Sequence, residues 1–343
     1  MPTATLPPRI TSEEMLDEVM TTPSAALIRD LATVDGDILI LGVGGKMGPT
    51  LARMARRAAP AKRILAVARF TAPGLRESLE SFGIETIACD LLDRAAVEAL
   101  PKCRNIIFMA GFKFGAVGNP AMTWAMNVLV PAFVAEAFKD SRIVAFSTGC
   151  VYAFAPVAGR GSSESEAPAP PGDYAMSCLG RERMFDYHSG IYRTPGRLFR
   201  LNYAIDLRYG VLPDIAAKVR DGTPLDVTMG HVNVIWQGDA CSQALRCLAQ
   251  CTRPTTPINV SGGEILAVRD LAGEFGKRLG KTPTITGREA ERSWLTDTTM
   301  ATTLFGPPLV DLPTMLDWVA DWVAAGRRSL NKPTKFEVRS GAY

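Results

Sequence analysis

An apolar strand that runs directly into a cluster of glycines is the feature that most restricts how this chain can fold. Residues 39–48 have the sequence LILGVGGKMG, and a helix is predicted from Thr50 to Ala59. Gly42, Gly45 and Gly48 have the spacing that permits a tight turn, a close approach of the backbone to a pyrophosphate, and a helix packed closely on a strand. The helix N-terminus would add free N–H groups. The sequence therefore predicts the floor of a dinucleotide site, although any glycine-rich turn between a strand and a helix looks similar.

The composition is that of an ordinary globular protein and indicates a small partner. The chain has 343 residues, 47% of them apolar and 21% charged, enough for one large domain or two modest ones. Lysine and arginine total 38 against 35 acidic residues, so neither a nucleic acid nor an anionic membrane is expected as a partner. The first residues contain three prolines and no apolar run, and no stretch is long enough to span a bilayer. We therefore expect a cytoplasmic protein.

The cysteines and histidines predict reduced thiols and no metal site. The seven cysteines are scattered along the chain and include no Cys-x-x-Cys pair. Only two histidines are present to complete a metal-binding set.

Short apolar runs alternate with helical segments after the glycine-rich region begins. The predicted strands are Ile38–Leu41, Ile64–Val67, Thr86–Ala88, Ile106–Met109, Ile143–Phe146 and Leu198–Leu201. Parallel strands need long crossovers and are buried on both faces, so this alternation predicts an α/β fold with a doubly wound parallel sheet of Rossmann type.

The pattern divides the chain into three parts. They are an N-terminal helical extension, residues 1–35; a dinucleotide-binding domain, residues 36–207; and a smaller C-terminal substrate lobe, residues 208–343. Within the extension, helices are predicted over residues 13–20 and 24–31. The chain is expected to re-enter the Rossmann domain near residues 232–250. Residues 155–172 are rich in Pro, Gly, Ser and Glu and predict a surface loop near the site.

The second and third strands end in charged residues that bear on the choice of cofactor. An NAD enzyme usually has an acidic residue at the end of the second strand to bind the ribose hydroxyls, but this chain has Arg69. A guanidinium can bind a 2′-phosphate with two hydrogen bonds, so Arg69 favours NADP over NAD; the alternative is a solvated arginine. After the third strand, Asp90 is placed to accept from the adenine amino group, or else to cap a helix.

The fourth and fifth strands also end in residues suited to a ligand. Ala110 and Gly111 are small enough for the backbone to lie against a cofactor, and Lys113 can reach its phosphates. The fifth strand ends in the hydroxyls of Ser147 and Thr148, at the edge of the sheet where open α/β folds bind ligands.

The order of these motifs resembles that of the extended short-chain dehydrogenase/reductases of the sugar epimerase/dehydratase family. The likeness runs from about residue 36 to about residue 279 and comprises Gly42-x-x-Gly45-x-x-Gly48, Asp90-Leu91, Ser147-Thr148-x-x-Val151-Tyr152, Tyr174 and Arg200-x-Asn202-Tyr203. In that family a Ser or Thr at the position of Thr148 polarises the substrate oxygen. A Tyr at the position of Tyr174 is the general acid/base, and hydride passes to or from the nicotinamide.

The resulting site has a cofactor part and a substrate part. The cofactor residues are Gly42, Gly45, Lys46, Met47, Gly48, Arg69, Asp90, Leu91, Ala110, Gly111, Lys113 and Asn127, with NADP as first choice and NAD as second. The substrate residues are Ser147, Asn202 and His231.

The chain departs from the family at its Tyr-x-x-x-Lys pattern, because Cys178 stands at the lysine position. In the family that lysine binds the nicotinamide ribose and lowers the pKa of the phenol from about 10 towards neutrality, which a neutral thiol cannot do. Arg181, on the same helix face as Tyr174, and Lys113 are the candidates to supply the missing charge. The alternative is that both lie in solvent or on phosphate and nothing replaces it.

A second departure concerns the substrate. Nucleotide-sugar enzymes of the family usually carry an arginine that pairs with the substrate diphosphate, but this chain has none between Arg220 and Arg246. His231 and Asn233 occupy that region, so a diphosphate substrate is not expected. His231 is either a substrate ligand or a polar residue before a strand. Core or interface packing is predicted for the four tryptophans Trp236, Trp294, Trp318 and Trp322.

The sequence as a whole favours an NADP-dependent oxidoreductase or epimerase acting on a small carbohydrate-like hydroxy or keto compound. Thr148 would orient the reacting oxygen, Tyr174 would move its proton, and Lys113 or Arg181 would supply a positive field. One alternative is a family member that has lost catalysis and serves as a cofactor sensor or scaffold; another is a lyase or isomerase that recycles its hydride. Family habit also implies a homodimer built from two helices of each subunit.

Overall fold

The elements are defined over residues 6–113, 118–332 and 334–341, which are the residues that the structure, a computed structural model, describes. The strands are β1 (Ile38–Leu41), β2 (Ile64–Ala68), β3 (Glu85–Ala88), β4 (Asn105–Phe108), β5 (Arg142–Thr148), β6 (Ala155–Pro156), β7 (Gly196–Leu201), β8 (Ala204–Ile205), β9 (Leu225–Asp226), β10 (His231–Val232), β11 (Ile235–Trp236), β12 (Thr256–Val260), β13 (Leu266–Ala267), β14 (Ile285–Thr286) and β15 (Arg292–Ser293).

The helices of the same residues are α1 (Glu13–Thr21), α2 (Ala25–Ala32), α3 (Gly48–Ala58), α4 (Leu75–Ser81), α5 (Arg94–Ala99), α6 (Pro120–Trp124), α7 (Val130–Ala137), α8 (Gly172–Tyr192), α9 (Val211–Asp221), α10 (Gln237–Arg246), α11 (Val268–Leu279), α12 (Thr299–Phe305) and α13 (Leu312–Ala324). A π-helical turn over Ala125–Leu129 joins α6 to α7, and 3-10 turns cover Gly149–Val151 and Cys247–Gln250.

Seven of the described strands form one parallel sheet in the order β12-β7-β5-β4-β1-β2-β3. The chain winds from β1 outward to β3 on one side and then from β4 outward to β12 on the other, so the predicted doubly wound Rossmann-type sheet is confirmed. All six predicted strands are present, most of them longer by one to three residues. The seventh, β12, was missed because it is an edge strand interrupted by Pro257, a residue that edge positions tolerate.

Helices cover both faces of the sheet, and successive side chains of each strand point to opposite faces, so the strands contribute to a core on each side. In β1, Ile38 and Ile40 pack with α2, α3 and α10, whereas Leu39 and Leu41 pack with α5, α7 and α8. The loops at the carboxyl edge of this two-sided core are therefore held at fixed positions.

The C-terminal lobe, residues 208–343, has its own core between α9, α11 and α13. Trp236, Trp318 and Trp322 lie in this core, and Trp294 is buried in a smaller cluster beside Cys150, so their predicted packing is confirmed. The chain returns from the lobe to the sheet through α10 and β12. In the N-terminal extension, Ser12 and Ser24 cap α1 and α2, and both helices pack on α3 and α10. None of the described helices is both long and apolar enough to cross a membrane.

Candidate functional site

Of the three spaced glycines in the loop between β1 and α3, two are required by the fold and one is not. Gly42 has a φ of +89°, and a Cβ there would lie 2.5 Å from the amide nitrogen of Ala110. A Cβ on Gly48 would lie 2.1 Å from the carbonyl oxygen of Val43. A Cβ on Gly45 would meet only the Gly42 oxygen, at 3.7 Å. Gly42 and Gly48 therefore shape the turn, while Gly45 leaves an open approach to the backbone.

The N-terminus of α3 completes this cradle. Its N-cap residue, Met47, offers no capping side chain, and its first turn has no acidic residue. The first amides of the helix are thus not neutralised by a side chain, and the positive end of the helix dipole faces the loop. A dinucleotide pyrophosphate fits such a cradle.

Lys46 is an unusual component of the loop because burial disfavours the positive charge of its ammonium group. Its Nζ lies 3.7 Å from the centre of the Tyr209 ring. Burial lowers the pKa of Lys46 to about 7, with repulsion from Lys113 adding to the effect and Asp206 opposing it. The ammonium is therefore poised to be stabilised by an incoming anion.

Arg69 and Asp90, the two residues predicted to bind the adenosine half of the cofactor, follow strands β2 and β3. Arg69 is exposed and makes no hydrogen bond or salt bridge within the described part of the chain. Asp90 is also exposed, and its carboxylate accepts a hydrogen bond from the amide of Leu92 at 3.1 Å. The neighbouring Leu91 is buried. Asp93, and not Asp90, caps the following helix α5.

Asn127 fixes the loop that follows β4. It lies in the π-helical turn, where its side-chain oxygen accepts from the amide of Phe112 at 2.8 Å and its amide donates to the Phe112 carbonyl at 3.1 Å. It also donates to the hydroxyl of Ser177 at 2.9 Å, on α8. Asn127 therefore ties the loop containing Ala110, Gly111 and Lys113 to the helix that carries Tyr174.

Arg181 is buried beneath the strand ends, at 6% exposure. Its guanidinium donates to the carbonyl of Phe146 at 2.8 Å and to the side-chain oxygen of Asn127 at 2.7 Å. A Cβ on Gly111 would lie 2.5 Å from the same guanidinium, so Gly111 provides the space that Arg181 occupies. The alternative in which Arg181 lies in solvent is therefore wrong.

Tyr174 lies in the first turn of α8 beside the two candidate cations. The Nζ of Lys113 is 5.6 Å from the centre of its ring, and its hydroxyl shares a hydrogen bond with the thiol of Cys178. Burial raises the pKa of Tyr174 well above its ordinary value, with Cys178 and Cys150 adding to the rise and Arg181 opposing it. Burial likewise raises the pKa of Cys178 and lowers that of Lys113. At neutral pH the phenol is therefore protonated, and its chemical capacity is to donate a proton.

The two hydroxyls at the end of β5 have different roles in the fold. The hydroxyl of Thr148 accepts from the amide of Cys150 at 3.2 Å, and its side chain remains partly exposed. The hydroxyl of Ser147 is buried and donates to the carboxylate of Glu182 at 2.5 Å. Of the two, only Thr148 is open towards the site.

A buried polar network lies directly behind this strand end. Glu182 pairs with Arg200 through two hydrogen bonds of 2.6 and 2.9 Å. The hydroxyl of Tyr152 accepts from Arg200 at 2.5 Å and donates to the side-chain oxygen of Asn259 at 2.9 Å. Sequence reasoning did not find Glu182 or Asn259, although an arginine within the apolar strand β7 signals a buried acidic partner.

The predicted substrate residues of the C-terminal half are only partly available to a ligand. Asn202 is buried, and its amide donates to the carbonyl of Trp294 at 3.2 Å. His231 opens β10 and is partly exposed, and its buried Nδ1 has no hydrogen-bond partner within the described residues. Tyr203, which the sequence analysis gave no role of its own, follows β7 with a φ of +44°, a strained value for a bulky side chain.

The cysteines of the described residues form neither disulfides nor a metal-binding cluster. All seven cysteines are free. Across residues 6–113, 118–332 and 334–341, no group of three or more His, Cys, Asp and Glu side chains is placed to hold a metal ion.

Several solved structures share this fold. UDP-glucose 4-epimerase of Thermus thermophilus, solved with NAD, has 20% identity and a TM-score of 0.68, with 83% of this chain and 98% of that chain covered. The dTDP-glucose 4,6-dehydratase DesIV of Streptomyces venezuelae, also solved with NAD, has 19% identity and a TM-score of 0.71, with coverages of 84% and 97%. The UDP-glucuronic acid 4-epimerase of Bacillus cereus has 17% identity and a TM-score of 0.69, with 84% of this chain and 99% of that chain covered. No protein-family model and no curated protein matches the sequence.

Proposed function

We propose that this protein is a nicotinamide-dinucleotide-dependent oxidoreductase or epimerase acting on a small carbohydrate-like hydroxy or keto compound. One observation carries the proposal: Tyr174 lies beside Lys113 and within the electrostatic influence of the buried Arg181, at the edge of the sheet that also carries the glycine cradle. The UDP-glucose 4-epimerase of Thermus thermophilus and the dTDP-glucose 4,6-dehydratase DesIV, which share the fold, are solved with NAD, and this agrees with the proposal.

The cofactor would be held by the glycine-rich loop and the first amides of α3, with Lys46 on its phosphates. When bound, the nicotinamide ring supplies or accepts a hydride. The exposed Arg69 at the end of β2 supports NADP as the preferred form, since a guanidinium at that position binds a 2′-phosphate. Titration of wild type and Arg69→Ala with both cofactors tests this preference, which the substitution should reduce.

Tyr174 would act on the oxygen of the reacting carbon. Its phenol is protonated because it is buried, so it is suited to donate a proton to a substrate carbonyl as that carbonyl is reduced. Thr148 would hold the same oxygen in place with its hydroxyl. Arg181 and Lys113 would together stabilise the phenolate that proton donation leaves, in place of the lysine that the family resemblance implies at the position of Cys178.

The lapsed-enzyme alternative has one observation in its favour. Arg181 donates to Asn127 and to the carbonyl of Phe146, so its guanidinium has structural hydrogen bonds that do not depend on a role in catalysis. A protein whose Tyr174 had lost its cationic support would still bind the dinucleotide.

Substitution of Tyr174 separates the two functions. Wild type would be screened with NAD(P) and NAD(P)H against UDP-glucose, UDP-glucuronic acid, dTDP-glucose, and free sugars and keto sugars. With a substrate in hand, Tyr174→Phe should lower turnover by about 10²- to 10⁴-fold while leaving the affinity for the cofactor unchanged. The matched control is Tyr187→Phe, an exposed tyrosine on the same helix, which should retain full turnover. Cofactor binding without turnover on any compound would support the lapsed enzyme.

A homodimer is proposed from the surface of α6, the π-helical turn and α8, which pack side by side. This surface exposes the large apolar side chains Met122, Trp124, Leu129, Met176, Tyr187 and Ile191. A second copy of the chain would cover them, because two helices per subunit make a self-complementary apolar face. Sedimentation of wild type and Ile191→Glu tests this assembly, since the added charge should dissociate the dimer.

A further inference from the structure

The C-terminal residues 334–341, here called the strap, are fastened along the substrate lobe by specific contacts. The amide and hydroxyl of Thr334 both donate to the carboxylate of Asp214 on α9, at 2.8 and 2.6 Å. Phe336 is 2% exposed within the lobe core. Glu337 pairs with Lys218 at 2.5 Å, also on α9. Residues 334–337, the first half of the strap, are thus anchored to the lobe.

The end of the strap leaves the lobe and reaches the start of α8. The guanidinium of Arg339 donates to the carbonyl of Arg292 at 2.9 Å and lies 4.3 Å from the centre of the Phe154 ring. Gly341 then packs backbone to backbone on the residues that open α8. A Cβ on Gly341 would lie 2.4 Å from the carbonyl oxygen of Pro171, and one on Gly172 would lie 3.0 Å from the carbonyl oxygen of Gly341.

The start of α8 needs such support because it lacks a cap of its own. Pro171, the N-cap residue, provides no side-chain hydrogen bond, and Gly172 opens the helix with a φ of +74°. Tyr174 is the third residue of this helix. A displacement of the first turn therefore moves the phenol relative to Lys113.

The strap also affects the charge of the site. Burial is the main cause that lowers the pKa of Lys113, and the positive charge of Lys335 on the strap lowers it further. The groups that face Tyr174 are consequently drawn from four elements: Cys178 and Arg181 of α8, Cys150 of the 3-10 turn, Lys113 of the loop after β4, and, through Lys113, Lys335 of the strap.

We propose that the strap is a positioning element of the candidate site, which holds the first turn of α8 so that Tyr174 stays buried against Cys178 and beside Lys113. Gly341 is its positioning residue. The proposal rests on the function proposed above, because it assigns the proton transfer to Tyr174. The contact between the strap and α8 is a structural observation that does not depend on any activity.

Two glycine substitutions test the proposal in the full-length chain. Gly341 and Gly306 have φ values of +75° and +79°, so an alanine strains the backbone at both positions. A Cβ on Gly306 meets nothing within 4 Å, whereas one on Gly341 collides with Pro171. We expect Gly341→Ala to lower kcat by about 10- to 100-fold with little change in KM, because misplacement acts on the reacting geometry. Its pH profile should also shift to lower pH, since a less buried phenol ionises more easily. Gly306→Ala should show neither effect.

An activity-independent measurement keeps this test separate from the proposed function. Hydrogen exchange of residues 175–178, whose amides close the first turn of α8, should be faster in Gly341→Ala than in Gly306→Ala, with exchange of α9 the same in both. Truncation after Ser340 should reproduce the change, because it removes the contact and keeps the anchors at Thr334, Phe336 and Arg339. Equal exchange of residues 175–178 in all variants overturns the strap proposal. Faster exchange without any effect on kcat or on the pH profile overturns its role in positioning Tyr174. If no turnover is found for wild type, the proposed function fails, and the exchange measurement still decides whether the strap holds α8.

Discussion

Replacement of Lys46 is predicted to remove a pH dependence from dinucleotide binding. The pKa of Lys46 is lowered to about 7 because its ammonium is buried over the Tyr209 ring and repelled by Lys113. A bound pyrophosphate would stabilise the charged form and raise that pKa. Above pH 7 the free protein has lost the proton that the complex holds, so binding takes up a proton and weakens as the pH rises.

The size of the effect follows from the charged fraction of Lys46. With a pKa of about 7, that fraction is roughly nine-tenths at pH 6 and about one-hundredth at pH 9, so the affinity should fall by about 100-fold across this range. NAD is the suitable ligand because its pyrophosphate does not titrate in this range. Calorimetric titration in buffers of different ionisation enthalpy would measure the proton uptake directly.

Lys46→Met should bind NAD with an affinity that no longer varies across this pH range. Lys139→Met is the matched control, because the Nζ of Lys139 also lies over a tyrosine ring, 5.2 Å from the centre of Tyr192, at the opposite edge of the sheet. It should retain the wild-type pH dependence. A pH-independent affinity in wild type, or the same slope in Lys46→Met as in wild type, would show that Lys46 does not bind the pyrophosphate.

Three further predictions concern the cradle, the buried network and Cys178. Gly48→Ala should lower the free energy of unfolding by about 1–3 kcal/mol, because its Cβ collides with the Val43 carbonyl, while Gly45→Ala should change it by less than about 1 kcal/mol in the same urea titration. Arg200→Met should lower it by about 3–5 kcal/mol by leaving the carboxylate of Glu182 buried without its partner, and the double variant Glu182→Leu/Arg200→Met should regain most of that loss; no regain would contradict the pairing argument. Cys178→Lys should give little gain in turnover if Arg181 and Lys113 already supply the positive field, and a large gain with a lower pH optimum would show that the field had been lost.

Local sterics and periodicity made much of the fold predictable from the sequence. The glycine at position 48 follows from local sterics, because a Cβ there collides with the carbonyl of Val43 five residues earlier, whereas a Cβ on Gly42 collides with the distant backbone of Ala110. The inner strands β1 and β2 were predictable because their apolar runs are buried on both faces of the sheet. Edge strand β12 lacked that signal.

The candidate site was less predictable because its contacts join residues far apart in the chain. The hydrogen bond from Tyr152 to Asn259 spans 107 positions, and that from Arg181 to Asn127 spans 54. Helical periodicity placed Arg181 on the face of Tyr174, but only the packing of α8 against the π-helical turn determines that its guanidinium is buried under Gly111. The strap contact at Gly341 likewise depends on tertiary packing that leaves no periodic pattern.

Binding of the dinucleotide by wild type and Gly45→Asp tests most directly whether the glycine-rich loop is the cofactor site. Because a Cβ on Gly45 meets only an ordinary contact, the variant should fold, while its carboxylate would stand where the backbone approaches the pyrophosphate. Calorimetric titration with NADPH and NADH should show one site per chain in wild type and at least about a 100-fold loss of affinity in Gly45→Asp, since a like charge is set against the phosphates. Absence of binding in wild type, or equal binding by the variant, would contradict the assignment of this loop as the cofactor site.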